Sequence, residues 1–153
     1  MRPIQKQHSL VEQAKKKIAP AEYATLLECV ELGNIYLKEV RSTLHRHEIG
    51  NRPEFQFKED YQVIEHNDNH ALIEVAYTVK TRNGRSNIAT IQAKYHVRLT
   101  TSKLIPSEFF HLYSQYSLPL QTFPYYRELV DSHFTKMGLP RLLLPLRKFL
   151  VRG

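Results

Sequence analysis

The spacing of apolar positions changes twice along this chain. From residue 8 to residue 32 it is helical, and Pro20 divides the segment in two. Ser9, with Glu12 three residues on, has the form of a capping box for the first piece. Pro20 suits the first turn of the second piece, which runs through Ala21, Tyr23, Leu26, Leu27 and Val30 to a stop at Gly33. From residue 34 the period falls to two. NIYLKEVRSTLHRHE sets Tyr36, Val40 and Leu44 on one face and Ile35 and Leu37 on the other, which calls for cover on both sides at its start or for a bulge. After the loop Asn51-Arg52-Pro53, Phe55, Phe57, Tyr61 and Val63 alternate, and Asn67-Asp68-Asn69 makes a turn. Ala71, Ile73, Val75, Tyr77 and Val79 alternate up to a strong hairpin signal at Asn83-Gly84, and Ala89, Ile91, Ala93, Tyr95, Val97 and Leu99 alternate beyond it. These are four strands, the last three an antiparallel meander with one apolar and one polar face.

The helices that cover the apolar face must come from the two ends of the chain. Pro106 opens one, with Phe109, Phe110, Leu112, Tyr113 and Tyr116 along a wide stripe. Leu118-Pro119-Leu120 reads as a break. Thr122 or Phe123 then caps a further helix with Pro124 at its first position, and Gly138 and Pro140 end it. The fold class is therefore α+β: a four-stranded antiparallel sheet with helices packed on one face, preceded by a helical extension over residues 1–32.

Composition narrows the possibilities further. The chain has 153 residues, 42% hydrophobic and 24% charged, which is one ordinary globular domain and not a disordered chain. No run of about 18 apolar residues is present, and the polar N-terminal stretch lacks the apolar core of a secretory signal. The single cysteine, Cys29, allows no intrachain disulfide and fits a reducing, cytoplasmic setting. A formal net charge of +7 would attract nucleic acid, acidic protein or anionic lipid.

Candidate chemistry is sparse. His45 and His47 lie two apart on a strand, and His66 and His70 flank a turn, but no HExxH or cysteine partner accompanies them, so no metal site is expected. Cys29 sits in an apolar helical pattern, where a thiol is inert. There is no G-x-S-x-G, P-loop or G-x-G-x-x-G, and no paired carboxylates, so neither an enzyme nor a cofactor is expected. Lys94, His96 and Arg98 share a strand face, with Lys80 and Arg82 beside them, and such a face is able to track a phosphate backbone. The C-terminal third is the richer signal. Tyr113, Tyr116, Leu118, Leu120, Phe123, Tyr125 and Tyr126 exceed what one helix face needs, which points to an interface or a binding groove.

FPYYRELVDSHFTKMGLPRLLLP, residues 123–145, resembles the C-terminal signature of the SecB-type export chaperones. Phe123-Pro124-Tyr125-Tyr126-Arg127-Glu128 opens it, Gly138-Leu139-Pro140 stops it, and Leu142 to Leu144 follow. The order of elements from residue 33 to 149 is similar as well. The resemblance implies a SecB-like domain over residues 33–153. It also implies dimers that pair through first-strand edges and associate into tetramers, and ATP-independent binding of unfolded polypeptide in apolar grooves. Client contacts would come from Ile35, Tyr36, Leu37, Val40, Leu44, Tyr113, Tyr116, Leu118, Leu120, Phe123 and Tyr126. Pro124, Tyr125, Arg127, Glu128, Gly138 and Pro140 would carry the structural signature.

Export members are typically acidic on the sheet face that docks the SecA motor. Here the corresponding strands carry Lys80, Lys94 and Arg98, which points away from SecA. The helical extension is similar to that of SecB-like chaperones that partner antitoxins. The expectation is a cytoplasmic holdase, with dedication to one client such as an antitoxin as its finer form. A nucleic-acid-binding module and a purely structural oligomeric subunit are the alternatives.

Overall fold

A computed structural model describes residues 3–46, 50, 53–141 and 144. In chain order the elements are α1 (Pro3–Lys17), α2 (Pro20–Leu27), β1 (Val30–Leu44), β2 (Glu54–His66), β3 (His70–Asn83), β4 (Ser86–Thr101), α3 (Ser107–Tyr116) and α4 (Leu118–Lys136). The strands form one antiparallel sheet in the order β1-β4-β3-β2. The meander β2-β3-β4 follows from its short turns, and the chain then brings β1 alongside β4. Both β1 and β2 are edge strands.

The alternation of β3 and β4 becomes an inside and an outside. Ala71, Ile73, Val75, Tyr77 and Val79 of β3, and Ala89, Ile91, Ala93, Tyr95, Val97 and Leu99 of β4, are buried on one face. Each Val, Ile or Leu so buried contributes roughly 1.5–3 kcal/mol. Above this floor lie Phe109, Phe110, Leu112 and Tyr113 of α3, and Leu118, Phe123, Tyr126, Val130 and Phe134 of α4. Val11, Ala14, Ile18 and Leu26 from the N-terminal helical segment join the same core.

Several local expectations are corrected. Ser9 is no cap, because α1 begins at Pro3 and Ser9 lies inside it, accepting a bond from Gln13. The second helix stops at Leu27, and Val30 already pairs with Thr101, so Gly33 belongs to β1 and not to a helix end. At Gly33 a side chain would come within 3.0 Å of the Arg98 carbonyl oxygen, which is why the strand carries glycine there. Leu118-Pro119-Leu120 is the first turn of α4 and not a break, and Ser117 alone separates α3 from α4. Consequently Thr122 and Phe123 are not caps, and Pro124 lies inside the helix. A proline there removes a ladder bond. The stripe Leu118, Thr122, Phe123 and Tyr126 is buried on both sides of it and holds the helix together. Gly138, at φ 71°, does end α4: its N–H donates to the Thr135 carbonyl and Leu139 N–H to that of Phe134, closing a Schellman motif.

Candidate functional site

The first strand departs most from simple alternation. Its pairing with β4 shifts register between Leu32 and Asn34 and again between Leu37 and Glu39. The second shift, around Lys38, is a bulge that resets the alternation. Ile35 faces with Val97, Leu37 with Tyr95, Val40 with Ala93 and Leu44 with Ala89, all on the helix-bearing face. Tyr36 pairs with His96 and lies on the opposite face. The grouping of Tyr36 with Val40 and Leu44 is thus corrected.

This row is only partly covered, because the sheet contacts of α1, α3 and α4 centre on β2 and β4. Leu32, Leu37 and Val40 remain about two-fifths exposed, at 45%, 44% and 38%. Between β1 and α4 lies a cleft of about 210 Å³, lined by Ile35, Tyr36, Leu37, Tyr95, Tyr125, Glu128 and Leu129. Tyr125 is exposed at its rim. The result is a continuous apolar strip along an open sheet edge, with an aromatic ring and a carboxylate at one wall.

The other anticipated contact residues divide. Tyr116 and Leu120 are exposed. Tyr113, Leu118, Phe123 and Tyr126 are buried in the core, so they support the surface from beneath. Their polar tips explain why tyrosine is tolerated there: Tyr126 donates to the Ile91 carbonyl at 2.7 Å, and Tyr113 donates to Gln121 at 2.7 Å. Burial pushes the Tyr113 hydroxyl up to about 12 and that of Tyr126 higher still, so both are neutral donors. Among the signature residues, Pro124, Glu128, Gly138 and Pro140 are exposed. Arg127 donates from Nε to the Leu144 carbonyl at 2.6 Å and so ties α4 to the segment after it. Leu142 and Leu143 lie outside the described residues.

Several exposed apolar residues escaped the sequence reading as surface candidates, Leu32 of the strip and Leu104 among them. Phe55 and Phe57 of β2 are exposed on the helix-bearing face. Phe57 sits 5.6 Å edge-on from Phe123 and 5.9 Å from Tyr77. Its alternation made it a core position. Only the sheet order, which places β2 at an edge, reveals it.

The opposite face of the sheet is polar and mixed. Arg41, Lys58, Lys80, Arg82, Lys94 and Arg98 interleave there with Glu31, Glu39, Glu54, Asp60, Glu65 and Glu74. Glu74 accepts from His96 at 2.9 Å and stands 3.9 Å from Lys94, while the Tyr36 hydroxyl lies within hydrogen-bond distance of His96 Nδ1, at 3.2 Å. The basic strand face is therefore charge-balanced. His66 and His70 do not face each other: His66 meets the Ile105 carbonyl at 2.8 Å on the inner face, and His70 pairs with Glu65 on the outer. His47 lies outside the described residues. Among the described residues no group of three metal-ligating side chains gathers, and no helix is long and apolar enough to cross a membrane.

No protein-family model matches the chain, and no curated protein matches its sequence. The fold, in contrast, is found among solved structures. The Mycobacterium tuberculosis SecB-like chaperone Rv1957, solved in complex with a ChAD peptide from the Rv1956 HigA1 antitoxin, superposes with a TM-score of 0.74 at 15% identity, over 88% of this chain and 99% of that one. A Streptococcus agalactiae protein of unknown function gives a TM-score of 0.49 at 11% identity, over 76% of this chain and 97% of that one. The chain has the SecB-like fold.

Proposed function

We propose that this protein is an ATP-independent holdase of SecB-like type that binds unfolded or aggregation-prone polypeptide. The observation that carries the reading is the unsheltered apolar strip of Leu32, Leu37 and Val40, running into the cleft beneath Tyr125, on a chain with this fold. Water leaves such a strip only when another apolar surface covers it, at about 25 cal/mol per Å². The strip presents aliphatic and aromatic faces with few directional polar groups, so it accepts many apolar sequences. We take a dedicated client such as an antitoxin as the finer reading, since the fold's counterpart was solved with an antitoxin peptide. The same reading makes the protein a cytoplasmic homo-oligomer, dimer or tetramer, that is not an enzyme. The balanced charge of the outer sheet face gives SecA no strongly acidic docking surface and disfavours nucleic acid as a ligand.

The test is aggregation of a chemically denatured client diluted into buffer, followed by light scattering without nucleotide. The intact protein is expected to hold scattering down at a few-fold excess. Leu37→Asp with Val40→Asp, placed on a half-exposed edge where the fold survives, is expected to lose most of that protection. Full protection by the double variant rejects the β1 strip as the binding surface. A defined oligomer that never retains polypeptide supports the structural-subunit reading instead.

A further inference from the structure

Past the end of α4 the chain doubles back along that helix. Gly138 turns it, Arg141 Nε meets Asp131 at 2.9 Å, and the Leu144 carbonyl accepts from Arg127 Nε at 2.6 Å. Asp131 and Arg127 are one helical turn apart, so from residue 141 to residue 144 the chain advances toward the start of α4. Leu139 and Leu144 are buried and belong to the core, which pins this return at two points.

Helical spacing sets the side on which it runs. Leu120, Pro124, Arg127 and Asp131 recur at three- and four-residue steps and form one flank of α4. The opposite flank holds Tyr125, Glu128 and Leu129, which wall the cleft toward β1. Phe123, one turn before Arg127, meets the Phe57 ring of β2 edge-on at 5.6 Å. The return therefore follows the β2 side of α4.

Ahead of Leu144 on that side lies an uncovered apolar shelf. Phe55 and Phe57 of β2 and Leu120 of α4 are exposed. Glu59 follows the two rings on the same face of β2, opposite Tyr77. The strand is acidic, with Glu54, Glu59, Asp60 and Glu65 against Lys58 as its one Lys or Arg. Residues 145–152, PLRKFLVR, follow Leu144 in the sequence and have the complementary character: Leu146, Phe149, Leu150 and Val151, three cations and no acidic residue. From Arg127 back to Leu120 the helix covers about 10 Å. Eight extended residues span about 26 Å, more than enough to cross the shelf.

We propose that this shelf is the seat of the chain's own residues 145–152, which dock there as a tethered ligand that a polypeptide client must displace. Their apolar side chains cover the Phe55 and Phe57 rings, and Arg147 and Lys148 face the acidic strand. Tethering at Leu144 holds the segment at a high effective concentration over the shelf, so weak contacts suffice to seat it. The displacement rests on the holdase reading, and the seat itself does not.

The seat is tested in the full chain with p-benzoylphenylalanine in place of Phe149, irradiated and mapped by mass spectrometry, with isotopically heavy and light chains mixed to separate links within a chain from links between chains. Links within one chain to residues 54–59 and 120–127 are expected, and Arg147→Glu with Lys148→Glu is expected to cut their yield about three-fold. Links confined to other elements, or formed only between chains, overturn the seat. The displacement is tested with the full chain carrying Phe149→Ser and Leu150→Ser, by fluorescence anisotropy of labelled reduced, carboxymethylated α-lactalbumin. This chain is expected to bind the polypeptide about five-fold more tightly than the natural one, because its tethered competitor is weakened. Equal affinities overturn the displacement and leave the holdase reading in place. Failure of both chains to bind, with the links to β2 present, removes the holdase reading and the displacement together and leaves the seat.

Discussion

His111 stands half-buried between α3 and β2, with Nδ1 3.4 Å from the Tyr61 hydroxyl. Burial holds its pKa below the usual histidine value, and burial together with Lys136 does the same to His133. The unfolded chain therefore takes up these protons first as pH falls through about 6.5. Their contribution to stability is whole above that point and is lost as pH drops toward the depressed folded values. Urea midpoints measured at pH 7.5 and 5.5 are expected to show the protein weaker at the lower pH, and His111→Gln to narrow the difference. The Lys17 partner of Glu108 lowers that carboxyl, but the resulting loss belongs to a lower window, below the ordinary carboxylate value. At this scale the sequence was legible in residue type and not in residue role. Tyr113 and Tyr126 read as surplus aromatics and so as contact residues. Their hydroxyls in fact find partners inside, and the partner of Tyr126 lies 35 residues away in the chain, where no local pattern reports it.

At the level of elements, strong two-residue alternation in β3 and β4 reported the sheet and its faces directly, because one face is dry and the other wet. The weaker signals failed where tertiary packing outweighs local preference. Gly33 and Pro124 have the form of a helix stop and a helix start, yet the full-length pairing of β1 with β4 and the buried stripe of α4 draw both into longer elements. Gly138 is the case where local preference and packing agree. Its φ of 71° suits glycine, and a Cβ there would meet open space, so strain alone sets the cost of a side chain. Gly138→Ala is expected to lose about 1 kcal/mol in equilibrium denaturation, with no change in the fold elsewhere.

Over the whole molecule, charge and apolar surface are distributed differently from what totals suggest. The strand face holds its cations among carboxylates, whereas after Met137 the sequence has Arg141, Arg147, Lys148 and Arg152 and no acidic residue. Composition gave the +7 without its address. Which apolar positions reach solvent was likewise hidden, since exposure depends on which strands end the sheet. The bulged first strand has a further consequence. An open edge rich in Leu, Ile and Val is a template on which identical chains stack into fibrils. A strand with an extra residue at Lys38, and another irregularity at Gly33, breaks the even ladder that such growth requires. Deleting Lys38 leaves the inward and outward faces of β1 unchanged while straightening its edge. The shortened chain is expected to remain folded but to nucleate thioflavin-positive fibres on standing, where the natural chain stays clear. On this expectation the irregularity separates an edge that holds other chains from one that grows on its own copies.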